Sequence, residues 1–60
     1  MKYYNKGQKI KYCAYMYCGK EIIETAYVLQ DDGSDYIWIS RTKEALKAGR
    51  GATILRTEVR

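Results

Sequence analysis

The chain contains no histidine, no proline and no phenylalanine, and it carries only two cysteines. Each absence removes a class of chemistry. Without histidine there is no side chain whose ordinary pKa suits proton transfer near neutrality. Two cysteines alone cannot complete a tetrahedral zinc site within one chain. On one extended strand, Cys13 and Cys18 would point to opposite faces roughly 16 Å apart, beyond the ~7 Å reach of a disulfide. They are expected to be reduced thiols in a reducing compartment, the alternative being an intermolecular site in a dimer. There is no Gly-x-Ser-x-Gly elbow and no phosphate-cradling glycine loop. Nor is there an apolar run long enough for a signal peptide or a membrane span. Lys2-Tyr3-Tyr4-Asn5-Lys6 is charged and aromatic instead. The expectation is a complete, free-standing cytoplasmic protein without a membrane partner, of the size common among phage and plasmid accessory products.

Residues 1–60 are expected to form a single small domain. A chain this short buries only about 60% of the surface its unfolded form exposes. Its core yields no more than ~3–5 kcal/mol unless a disulfide, a metal or a second subunit adds to it. At 47% hydrophobic and 30% charged residues, however, the composition is that of a chain that folds.

What is present is strand chemistry, regularly punctuated. Residues 8–18 alternate with period two, Ile10, Tyr12, Ala14, Met16 and Cys18 on one face and Lys9, Lys11, Cys13, Tyr15 and Tyr17 on the other. Gly19-Lys20 reads as a tight type II′ turn into a second strand over residues 21–30. Asp31-Asp32-Gly33-Ser34 is a clear turn before a third strand, Tyr36–Ile39. A two-residue Asp32-Gly33 loop would set Val28 opposite Ile37 and Tyr27 opposite Trp38, and a three-residue loop would set Tyr27 opposite Ile37. Thr42–Gly49 reads as a short helix, capped by Ser40 or Thr42, ended by Gly49 and docked through Ala45, Leu46 and Ala48. Residues 52–59 return to strand, and Lys2–Asn5 could add a short one.

The fold class is therefore mainly β (α+β): a small antiparallel meander with one short helix, over about 42–49, before the final strand. Two architectures suit that order. One resembles SH3-like barrels in strand count and length, and the other is a bent open sheet covered by the helix. The barrel is favoured, because it removes exposed edges.

Charge is blocked along the chain: +5 over residues 1–20, −5 over residues 21–35 and +4 over residues 36–60. A meander folds the acidic second strand between basic ones, so cross-strand pairs such as Glu24 with Arg41 in the two-residue register account for part of the pattern. A surface polarised for a partner accounts for the rest.

The remaining candidates for catalysis each have a plainer reading. Gly49-Arg50-Gly51 could expose N–H groups to an anion but reads better as a helix stop and turn. The acids of residues 31–35 lack the spacing of a calcium loop. Cys13 has Lys9 and Lys11 nearby but no base. The chain is expected to be no enzyme, with no catalytic residues, metal or cofactor.

Seven tyrosines and one tryptophan without a single phenylalanine carry more content. Choosing tyrosine every time leaves hydroxyl tips that prefer water. Tyr12, Tyr27 and Trp38 are expected in the core, where a small domain needs bulk. Lys9, Lys11, Tyr15 and Tyr17 on one face have the makings of a single-strand nucleic-acid platform, where rings stack on bases and lysines offset phosphates. Arg41, Lys43, Lys47 and Arg50 would extend the positive field. The same residues suit a protein interface, because tyrosine, tryptophan and arginine dominate hot spots. The expectation is a non-catalytic binding module for nucleic acid through this basic, tyrosine-rich face. The alternative is a phage- or plasmid-type accessory protein that binds and modulates, or inhibits, a host protein. A homodimer pairing edge strands or tyrosine faces is compatible with both.

Overall fold

In the computed structural model, which describes residues 3–60, four strands run antiparallel in chain order. They are β1 (Lys9–Tyr17), β2 (Lys20–Gln30), β3 (Tyr36–Ser40) and β4 (Ala52–Leu55). The helix α1 (Lys43–Lys47) links β3 to β4, and a 3-10 turn (Arg56–Glu58) follows β4. The expected β-β-β-α-β order is the observed one. Of the additional segment expected at Lys2–Asn5, Lys2 lies outside the described residues and Tyr3–Asn5 form no strand. Tyr4 is tied down instead, its N–H donating to Asp31 Oδ2 over 2.8 Å.

The core is the face shared by alternate residues of three strands: Ile10 and Tyr12, Ala26 and Val28, Ile37 and Ile39. Cross-strand pairing brings Ile10 to Ala26, Val28 to Ile39 and Ile37 to Ile54, the neighbour contacts that stabilise a sheet. Tyr12 is 2% exposed, as its core placement required, and Tyr27 is half-buried. Trp38 is not in the core: it points away from Ile37 and Ile39 and remains 46% exposed. The alternation of β3 puts Ile37 and Ile39 inward, and that leaves Trp38 outward.

The first hairpin turns on Cys18-Gly19, with Tyr17 opposite Lys20, not on Gly19-Lys20. Both turn residues have positive φ, 51° and 77°, which makes a two-residue loop of the type I′ kind. Cysteine is poorly suited to that backbone region, where asparagine is favoured. Cys18→Asn is therefore expected to stabilise the protein by ~0.5–1 kcal/mol. A thermal melt in which this variant unfolds no later than the parent would contradict the assignment.

The second hairpin follows neither expected register. Tyr27 faces Ser40, Val28 faces Ile39 and Gln30 faces Trp38, with an irregularity at Leu29. The connection is wider than a tight turn, and its acids brace it. Asp31 Oδ1 accepts the Gly33 N–H over 2.9 Å, and Asp32 Oδ1 accepts the Ser34 N–H over 3.0 Å. Asp31 also binds the Arg56 guanidinium with both oxygens, tying the loop to the 3-10 turn. In this register Glu24 lies opposite Tyr12 and does not meet Arg41. The ion pairs among the described residues are Asp31–Arg56 and Glu21–Arg60.

Thr42 caps α1, its Oγ1 accepting the Ala45 N–H over 3.0 Å. The helix ends in a Schellman closure: Arg50 N–H donates to Ala45 O and Gly49 N–H to Leu46 O. Ala45 and Leu46 are half-buried, and Ala48 is exposed. The 52–59 run is not one strand. The 3-10 turn breaks it and returns the chain to β1, where Val59 bridges Tyr12 and the Arg60 N–H donates to Lys11 O over 2.8 Å. The sheet is open, so of the two architectures the bent sheet is found and the favoured barrel is not. Among the described residues β1 and β4 do not pair, and only this clasp draws the chain end back to β1.

Candidate binding cleft

A bulge decides where the tyrosines go. Along β1 and β2, Tyr12 faces Glu24 and Cys13 faces Ile23, but Tyr15, not Ala14, faces Ile22. Two residues of β1 thus span one step of β2, and every side chain beyond exchanges faces. Residues directly opposite each other share a face of the sheet, so Tyr15 and Tyr17 lie with Ile22 and Lys20 on the face of Ile10 and Tyr12. Lys9 and Lys11, opposite Tyr27 and Thr25, lie on the other. The Lys9-Lys11-Tyr15-Tyr17 platform read from strict alternation does not exist as one surface.

The structure divides the eight expected binding residues into three groups. Tyr15 and Tyr17, 55% and 66% exposed, stand at the far end of the first hairpin, beyond the part of β2 that β3 covers. Lys9 and Lys11 line a shallow groove of about 490 Å³ together with Gln8 and the clasp residue Arg60. Arg41 and Arg50 both line a larger cleft, about 530 Å³, between β1 and β4. Lys43 and Lys47 are exposed on α1, the helix whose Ala45 lines the same cleft.

Local structure sets the cleft residues firmly. Arg50 is held at both backbone groups: its N–H caps α1, and its carbonyl accepts the buried Ser40 hydroxyl over 2.6 Å. Arg41 follows Ser40 directly, at the end of β3. Tyr12, Ile39 and Ile54 supply an apolar floor, and the short side chains of Ala14 and Ala52 leave room above it. Glu58 also lines the cleft, but its Oε1 is already engaged by the Leu55 N–H at 2.8 Å. Neither Arg41 nor Arg50 pairs with a carboxylate among the described residues.

Both strands bordering the cleft keep an unused backbone edge. Apart from the clasp at Lys11 and Tyr12, β1 pairs only with β2, and β4 pairs only with β3, among the described residues. Sequence reasoning missed this cleft, because its apolar floor is ordinary core chemistry. The run of small residues at Gly51 and Ala52 was the available signal.

Cys13 is buried in the bulge with its thiol donating to Tyr15 O over 3.7 Å, and Cys18 is exposed at the turn. Among the described residues no group of three histidine, cysteine, aspartate or glutamate side chains is placed to hold a metal ion. No helix of the described residues is long and apolar enough to cross a membrane. A second apolar surface, Tyr36, Trp38 and Leu55, lies exposed on the outer face of β3 and β4. No protein-family model, curated protein or solved structure matches this chain.

Proposed function

We propose that this chain is a non-catalytic, cytoplasmic binding module whose partner is a protein, taken up in the β1–β4 cleft as an extended segment bearing acidic side chains. One observation carries the reading: an apolar floor lies between two strands with unused backbone edges, under a rim that bears Arg41 and Arg50. Extended segments dock on sheet edges through main-chain hydrogen bonds, while pockets select alternate side chains. Arginine at the rim steers an acidic partner and fixes its register. This is the accessory-modulator reading of the chain. Nucleic-acid binding loses the platform it was read from, since Tyr15 and Tyr17 lie on the face opposite Lys9 and Lys11. It retains the bases around α1 and, on the outer sheet face, Lys9 and Lys11 with the exposed Tyr36 and Trp38, without an apolar cleft to join them.

Affinity capture from a cognate lysate, with and without nuclease, separates the two. A protein that survives nuclease treatment and is lost with Arg41→Glu/Arg50→Glu is the expected result. Retention of nucleic acid alone, or capture unchanged by the double variant, would overturn the proposal. Both arginines are exposed, so the variant should keep its fold.

A further inference from the structure

β2 is eleven residues long, yet β3 pairs only with its Tyr27–Gln30 end, and α1, which follows β3, packs against β2 without adding a strand to it. From Lys20 to Ala26 the edge turned away from β1 makes no backbone hydrogen bond among the described residues. At its centre stand two strong strand formers, Ile22 and Ile23, and Ile23 is exposed. An edge of this kind is a template for a further strand.

We propose that this edge pairs with the same edge of a second copy of this chain, antiparallel and centred on Ile22. The charges select that register. Two copies related by a twofold axis normal to the sheet keep their faces aligned, so only registers centred on a residue, and pairing side chains of one face, are open to them. Centred on Ile22, Lys20 of each copy meets Glu24 of the other, twice, and Ile22 meets its own copy. Centred on Glu21 or on Glu24, a carboxylate faces itself, which is destabilising. Centred on Ile23, Glu24 faces Ile22 and no charge finds an opposite. One register is rewarded, and its neighbours are penalised or unsupported.

Within a single chain these charges serve no comparable purpose. Lys20 and Glu24 lie four residues apart on one strand, about 13 Å, too far to pair with each other. Neither makes an ion pair among the described residues, and Glu24 receives only a long contact, 3.5 Å, from the Tyr12 hydroxyl. Pairing would join two four-stranded sheets into one of eight and add buried area to a core that is marginal at this length. The edge is on β2, apart from the β1–β4 cleft, so this dimer and the proposed binding function stand or fall separately.

Sedimentation equilibrium on the parent and three variants tests the pairing. The parent is expected to associate reversibly toward twice the 7.0 kDa of one chain as concentration rises into the hundreds of micromolar, in keeping with a small interface. Lys20→Glu and Glu24→Lys should each weaken association on the order of tenfold or more, because each replaces two attractions by two repulsions. An equimolar mixture of those two variants should associate like the parent. In the mixed pair the two acids of one copy, at positions 20 and 24, face the two lysines of the other. Glu24→Gln, which preserves shape, should weaken association less than Glu24→Lys and serves in its place if the reversal disturbs folding by circular dichroism. A parent that stays monomeric, single variants that associate as the parent does, or a mixture that fails to recover would each overturn the assignment.

Discussion

Gly51→Ala is expected to abolish the folded state at room temperature. A Cβ at this position would overlap the Ile39 carbonyl oxygen and stand 3.1 Å from Leu29 Cδ2. The first of these obstacles is backbone, which no rotamer change can move aside. Relief requires parting the start of β4 from β3, where Ile39 faces Ala52. Overpacking a well-filled site costs ~1–3 kcal/mol even where side chains can adjust. A core of this length holds only ~3–5 kcal/mol in total. Far-UV circular dichroism and a thermal melt give the readout. The exposed neighbour Arg50→Ala serves as the control and should shift the midpoint by no more than about 5 °C. A cooperative melt of Gly51→Ala within that margin of the parent would refute the close packing of β4 on β3.

The second large effect is on acid stability. Asp31 accepts hydrogen bonds from Arg56, from the Tyr4 N–H and from the Gly33 N–H, so three parts of the chain converge on one carboxylate. The Arg56 guanidinium is the main cause that holds this carboxyl well below the usual carboxylate range, with the two backbone N–H groups assisting against desolvation. In the unfolded chain the same group titrates near ~3.9. Between the two values the unfolded state binds a proton that the folded state refuses, so stability rises with pH there. The contribution is fully present above about pH 5 and is lost as the pH falls through the unfolded value toward the folded one. Asp31→Asn should lower the melting midpoint at neutral pH by more than ~10 °C and flatten the acid limb of a midpoint-against-pH curve. Glu21, lowered by its bond to Arg60, and Asp32, lowered by the Ser34 N–H, leave a residual slope in the variant. An acid limb of equal steepness in parent and variant would remove Asp31 from the account.

Element order was readable because the period of hydrophobicity changes where the structure changes. The run over 8–18 exceeds Lys9–Tyr17 by one residue at each end, that over 21–30 falls one short of Lys20–Gln30 at its start, and Thr42 and Gly49 mark the helix through caps that have a mechanism. The bulge at Ala14 was not readable. Cys13, Ala14, Tyr15, Met16 and Tyr17 are all acceptable on either face, so the pattern keeps alternating after the backbone has stopped. That one irregularity separated the tyrosines from the lysines and with them the expected nucleic-acid surface. The second hairpin escaped for a different reason. Asp31 could be recognised as a turn residue, but its long-range partner Arg56 could not, and that partner sets the loop's width. Residues 52–59 read as one strand because nothing local announces that Glu58 will fold back onto the Leu55 N–H. Arg41 and Arg50 were named as binding residues, whereas the cleft that joins them depends on the curl of the whole sheet.

The clasp ties the last described residues to β1 through the Val59–Tyr12 bridge and a single backbone bond from Arg60, and to β2 through the exposed Arg60–Glu21 ion pair. Closing so long a loop costs the most entropy of any pairing in the sheet, and few contacts repay it. Segments held this way open locally at a fraction of the free energy of global unfolding. Opening of the clasp is then expected to widen the spacing of β1 from β4 while the meander stays intact. The amide of Arg60 should exchange with solvent well ahead of those at Ala26 and Val28, and a segment entering the cleft would meet an aperture whose width is a thermal average, not a fixed slot.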